Sequence, residues 1–176
     1  MSMFRRRGGR FVAIFSSDEV RVLRKVAGEV VSLLTDGFDH GDPVVGRLFP
    51  DTYPDDAASS AEFRRYTESD LKTAKIDQAG AVLAMLPADS DADGGAEVRL
   101  DDEAAEAWLR ALNDARLAMG VRLDMEADTD LGAELAAAER DDPSSSRLFQ
   151  LSVYAYLGYL QESLLAAMIG QPRSLA

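Results

Sequence analysis

The chain has 176 residues, with 19 Lys and Arg against 31 Asp and Glu, a net charge of −12, and no cysteine. Disulfides, thiolate metal sites, cysteine nucleophiles and thiol redox sensing are thereby excluded, and the acid excess argues against general binding to nucleic acid or anionic membranes. At 47% hydrophobic and 28% charged the composition is that of a globular chain, and its length suits one domain without covalent staples.

Arg5, Arg6, Arg7 and Arg10 make residues 1–10 basic, and with Gly8 and Gly9 among them they read as a flexible arm. The apolar run behind them is too short for the core of an export signal, and Asp18 and Glu19 follow at once, so a cytoplasmic protein is expected. Residues 11–15 read instead as a strand of β-branched and aromatic residues. Ser16 and Glu19 have capping-box spacing, and Val20, Leu23, Val26, Val30 and Leu33 recur at helical steps. A helix over about 18–34, stopped by Gly37, is predicted. Asp42-Pro43 opens one or two helical turns over 44–49. Ser59 with Glu62 opens a helix over 61–66, and Leu71, Lys75, Ala79, Val82 and Leu86 continue a helical stripe to Pro87. The two stretches are either separate helices meeting at Thr67 or one bent helix.

Residues 88–96 read as an acidic loop, and 97–100 alternate as a second strand. A lone strand leaves its backbone unpaired, so 97–100 is expected to pair with 11–15. Asp101 caps a helix through Leu123 with Trp108, Leu112, Ala115 and Met119 on one face. An acidic connector at 124–130, an alanine-rich helix at 131–140 and a break at 142–146 come next. A terminal helix over about 145–169 ends at Gly170, with Pro172 beyond. Gln150, Ser152, Gln161, Glu162 and Ser163 interrupt its apolar run and argue against a membrane span. The expected fold is mainly α, a single helical bundle over 11–176 with a small two-stranded β-ribbon.

The spacing richest in chemistry is Asp89-Ser90-Asp91-Ala92-Asp93-Gly94, which imitates the start of an EF-hand loop. Leu100 stands at the twelfth position, where a bidentate carboxylate is needed, so a solvated acidic loop is the better reading. Asp124, Glu126, Asp128 and Asp130 alternate without the glycine and read the same way. His40, the one histidine, has no second histidine or cysteine to complete a metal set and reads as a surface loop residue. No glycine-rich phosphate loop, nucleophile elbow or Walker motif is present. No catalytic residue, metal site or cofactor is therefore assigned, and a non-enzyme is expected. A carboxylate- or metal-dependent hydrolase is the alternative that the abundance of acids leaves open.

Partner binding is the function these residues point to. Arg64 and Arg65 precede Tyr66, and Asn113, Asp114 and Arg116 form a polar row beside Trp108 and Leu112. Asp114 is expected to pair with an arginine elsewhere. The terminal helix is apolar on more than one face, which predicts burial by a second copy of the chain or another partner. Tyr154 and Tyr159 suit a wet rim to such a contact, with Gln161 and Glu162 beside them. Arg64, Arg65, Asn113, Arg116, Tyr154, Tyr159, Gln161 and Glu162 are the candidate partner-binding set.

Three stretches carry a family resemblance: Ala61-Glu62-Phe63-Arg64-Arg65-Tyr66-Thr67-Glu68-Ser69-Asp70-Leu71, Glu97-Val98-Arg99-Leu100-Asp101 leading into 107–117, and 154–162. Together they resemble an actinobacterial family of uncharacterised proteins, a domain of unknown function often encoded beside an adaptor of the Clp protease. Some of its members are described as oxidative-stress transcriptional co-regulators that act through a sigma factor and use a cysteine pair near the N-terminus. The resemblance implies a regulatory or adaptor-like protein acting on protein partners, in the transcription or proteolysis machinery. It brings no catalytic residues, and a thiol switch cannot operate in a chain without cysteine.

Overall fold

The computed structural model describes residues 2–88 and 95–170. The EF-hand-like run 89–94 and Pro172 lie outside the described residues. Three strands, β1 (Arg5–Arg7), β2 (Arg10–Phe15) and β3 (Ala96–Leu100), form an antiparallel sheet in the order β1-β2-β3. The described residues also form six helices: α1 (Ser17–Thr35), α2 (Pro43–Leu48), α3 (Ala57–Met85), α4 (Asp102–Arg122), α5 (Leu131–Asp141) and α6 (Ser146–Ile169). The architecture is mainly α, as expected, and the ribbon gains one strand.

That extra strand corrects the flexible arm. Gly8 and Gly9 both take positive φ, 54° and 77°, and form the two-residue turn that folds β1 back on β2. Phe4 enters the core beside Phe15 and Trp108, with ring centroids 5.8 and 5.7 Å away. Its N–H donates to the Ser163 hydroxyl of α6 at 3.1 Å. Ser2 is held by the Glu19 carboxylate, which accepts its N–H at 2.8 Å and its hydroxyl at 2.6 Å. Strand β2 pairs with β3 in the register Phe11 opposite Leu100 through Phe15 opposite Ala96.

The sequence signals explain most helix ends. Ser16 and Glu19 make a full capping box at α1, Asp42 caps α2 with Pro43 behind it, and Asp101, Asp130 and Ser145 cap α4, α5 and α6. Gly170 ends α6 in the left-handed conformation. Gly37 does not play that part at α1, whose C-cap is Asp36 with ordinary negative φ. Helix α3 is one continuous helix. Asp56 caps it, so Ser59 lies inside the first turn, and the Thr67 hydroxyl donates back to the Phe63 carbonyl at 2.9 Å instead of starting a new helix. The far end of α3 lacks a glycine, and Arg24 of α1 supplies donors to the Leu83 and Leu86 carbonyls at 3.0 and 2.9 Å.

Helix α4 is the centre of the bundle, packed by α1, α2, α3, α6, β2 and β3. Trp108 on it is fully buried and stacks on Phe15 at 6.1 Å. The helices lie on one face of the sheet, where Phe11, Phe15, Val98 and Leu100 join the core. Helix α6 is closed off by α4, α5, β1 and β2, which bury Leu151, Val153, Tyr156, Leu157, Leu160 and Leu164. Its apolar excess, expected to need a second chain, is thus mostly met within this one. Phe149, Leu165 and Ile169, near its two ends, are its exposed large apolar residues.

Candidate functional site

Asn113, Arg116 and Gly120 recur at steps of three and four on α4, and Tyr154, Gly158 and Gln161 do so on α6, so each trio lies on one helix face. The two faces meet antiparallel. The Gln161 amide donates to Asn113 Oδ1 at 3.3 Å, and the Arg116 guanidinium lies 5.2 Å from the centroid of the Tyr154 ring. Gly158 packs directly against it, where a Cβ would stand in close contact, 3.4 Å from Arg116 Cζ. Among the described residues, two buried polar atoms of the seam have no hydrogen-bond partner, Arg116 Nε and Gln161 Oε1. Such atoms are costly where nothing else bonds them.

Helix α3 forms the third wall of this site. Lys75 Nζ donates to both Asp114 oxygens, at 2.8 and 3.0 Å, and both side chains are largely buried. Asp114 therefore pairs with a lysine on α3, not with the expected arginine. Burial raises the Asp114 pKa, and the hydrogen bonds and charge of Lys75 only partly oppose it. Above this pair opens a cleft of about 410 Å³ lined by Leu71, Lys75, Leu109, Asn113, Asp114 and Gln161. Leu71 is 48% exposed on its wall.

Arg64 and Arg65 stand apart from the seam. They line a second cleft on α3, of about 510 Å³, with Phe38, His40, Glu68 and Lys72. Arg64 is ion-paired with Asp51 at 2.7 Å. Lys72 Nζ sits 4.4 Å above the Phe38 ring, and Phe38 packs edge-on against Phe49, over which Lys75 lies. His40 is exposed, as a loop residue should be, yet its Nε2 faces Glu68 Oε1 at 3.5 Å. Tyr159 is half-buried and Glu162 exposed, and neither lines the two clefts. The predicted set thus divides: Asn113, Arg116, Tyr154 and Gln161 converge, Arg64 and Arg65 share another cleft, and Tyr159 and Glu162 join neither.

Sequence reasoning missed the Lys75–Asp114 pair as the floor of the site. The signal was there: Lys75 falls on the buried stripe of α3 and Asp114 beside that of α4, and a charge at such a position requires a partner. The acidic connector is a solvated segment, with Asp124, Glu126, Asp128 and Asp130 all exposed and Asp130 serving as the cap of α5. Among the described residues no group of three or more His, Asp or Glu is placed to hold a metal ion, and no helix is long and apolar enough to cross a membrane.

Fold and site together define a small α-rich domain with a sheet along one side and polar clefts between its helices. The chain belongs to the family described as "Domain of unknown function (DUF2017)", which matches residues 1–168, in agreement with the resemblance its motifs carry. It is similar to the "Oxidative stress regulator AosR" of Mycobacterium tuberculosis H37Rv, 29% identical over 193 residues that cover 94% of this chain and 85% of that one. It is also similar to the "Putative oxidative stress regulator AosR" of Mycobacterium leprae, 29% identical over 195 residues covering 92% and 84% of the two chains. No solved structure matches it significantly.

Proposed function

We propose that this chain is a regulator of the oxidative-stress response that works by binding proteins, with the cleft between α3, α4 and α6 as a contact site. The observation that carries the reading is the cleft of about 410 Å³ above the Lys75–Asp114 pair, whose wall exposes Leu71 and whose lining includes Asn113 and Gln161. An open cleft that mixes polar side chains with an exposed leucine suits a partner that brings polar groups and one apolar side chain. The names of the mycobacterial relatives support the regulatory part. With no cysteine in the chain, its regulation works by occupancy of partners and not by oxidation of its own thiols.

The test is made in the native host. A photo-crosslinking amino acid at Leu71 is expected to capture a subunit of the transcription or proteolysis machinery after peroxide treatment. The Asn113→Ala/Gln161→Ala variant should lose that adduct and the transcriptional response together. A host lacking the protein whose peroxide response matches the wild type, with no adduct formed at Leu71, would remove the reading.

A further inference from the structure

The four N-terminal arginines do not trail into solvent. Antiparallel pairing fixes all four in a sheet whose helices all lie on the other side. Alternation along the strands puts Arg5 and Arg7 of β1, Arg10, Val12 and Ile14 of β2, and Glu97 and Arg99 of β3 on the outer face. Arg6 points to the opposite side, over the Phe11 ring. The register sets Arg5, Val12 and Arg99 in one row across the three strands, and Val12 is only 6% exposed between its two arginine neighbours. Next along β2 on the same face, Ile14 is 64% exposed.

The charge of this face runs against that of the chain. Four arginines face Glu97 and the adjoining Asp101, so the face is positive on a molecule of net charge −12. Arg99 is paired with Glu97 at 2.9 Å and Arg10 with Asp101 at 3.0 Å, all four side chains being well exposed. Exposed pairs of this kind hold weakly and exchange readily for a partner's carboxylates. Arg7 has no acidic partner among the described residues, and Arg5 reaches only the Met3 sulfur.

We infer that the outer face of the β1-β2-β3 sheet is a docking surface for an acidic segment of a partner protein that carries an apolar side chain for Ile14. The carboxylates of the segment pair with Arg5 and Arg7, and its apolar residue covers Ile14. A nucleic acid fits less well, because its phosphate backbone offers nothing to Ile14 and a long polyanion meets the acid excess of the rest of the molecule beyond the face. The inference rests on the reading of the chain as a protein-binding regulator and adds a second surface, separate from the α4–α6 seam.

Fluorescence anisotropy on the full chain tests it, with three labelled probes: a peptide of about 12 residues alternating glutamate and leucine, one of the same length alternating glutamate and serine, and a DNA duplex of similar charge. The glutamate–leucine peptide is expected to bind, and to weaken as salt rises through the range where the Debye length falls below about 10 Å. The glutamate–serine peptide should bind several-fold more weakly. Arg5→Glu/Arg7→Glu should lose on the order of tenfold in affinity, and the milder Arg5→Gln/Arg7→Gln should lose part of it without reversing charge. Ile14→Thr should erase the preference for leucine over serine while circular dichroism stays unchanged. Asn113→Ala/Gln161→Ala should leave peptide binding intact. Absence of peptide binding, or affinities unmoved by the arginine variants, overturns the inference. Loss of peptide binding only in the Asn113/Gln161 variant assigns the segment to the seam, and tighter binding of the duplex makes the face a nucleic-acid site; either result also overturns it.

Discussion

Lys75 and Asp114 show how one pair of side chains ties the floor of the site to the stability of the bundle. A buried carboxylate stripped of its counter-ion keeps its desolvation cost and loses its compensation. Lys75→Met is therefore expected to destabilise the fold by about 3 kcal/mol at neutral pH, read by chemical denaturation, and Lys75→Met/Asp114→Asn should recover much of it. The pH dependence has a definite sign. A pKa raised in the folded state means that stability is fully present below the ordinary value of 3.8 and is lost as pH rises through the folded value. The Lys75→Met defect should thus shrink on acidification toward pH 4, and a constant defect would contradict the assignment. Gly95 is a second position with a sharp expectation. A Cβ there would run into the Phe15 carbonyl oxygen, so Gly95→Ala should cost about 1–3 kcal/mol by forcing the start of β3 away from β2.

At the scale of elements, the N-terminus of α1 does more than cap a helix. Burial works to raise the Glu19 pKa, yet hydrogen bonds from the Ser2 hydroxyl, the Ser16 N–H and the Ser2 N–H outweigh it and bring it from its ordinary 4.5 down to about 2. A lowered carboxylate contributes stability that is present above the unfolded value and lost as pH falls through the folded one. The wild type should accordingly lose stability between pH 4.5 and 2. Glu19→Gln, less stable by about 1 kcal/mol at neutral pH, should converge on the wild type at the acid end, measured as melting temperatures across that window. This one residue joins α1, the β2–α1 junction and the segment leading into β1. The capping box itself is legible as Ser-x-x-Glu. Its further grip on Ser2 is not, because sequence spacing says nothing about a contact 17 positions away.

Across the whole molecule, the first and last elements are locked together. The Phe4 N–H meets Ser163 from 159 positions along the chain, and the Ser163 hydroxyl in turn donates to the Leu160 carbonyl at 2.8 Å. Ser163→Ala should orphan the Phe4 N–H inside the core and cost about 1–3 kcal/mol, with β1 amides exchanging faster by hydrogen–deuterium exchange. Trp108, the one tryptophan, sits fully buried where α4 meets the sheet, so its emission should shift red in the same cooperative step that removes the helical circular dichroism. Probes that separate would mean that the sheet and the helices unfold independently.

Local chemistry settled the elements: caps at Ser16, Asp42, Asp101, Asp130 and Ser145 are short-range hydrogen-bonding groups, and the apolar steps of α1 and α4 are periodic in the chain. Motifs of the same local kind carried the family. Three features needed the assembled fold. The arginine stretch became a strand because Phe4 and Ser2 found partners in α6 and α1. Helix α6 lost its apparent need of a second chain because α4, α5 and the sheet surround it. The eight candidate residues fell into a seam, a separate cleft and two outliers because the antiparallel crossing of α4 and α6 selects which residues face each other. Capping and periodicity act over a few residues and are written in the chain, whereas burial and convergence depend on pairs far apart in sequence and exist only once the helices have packed.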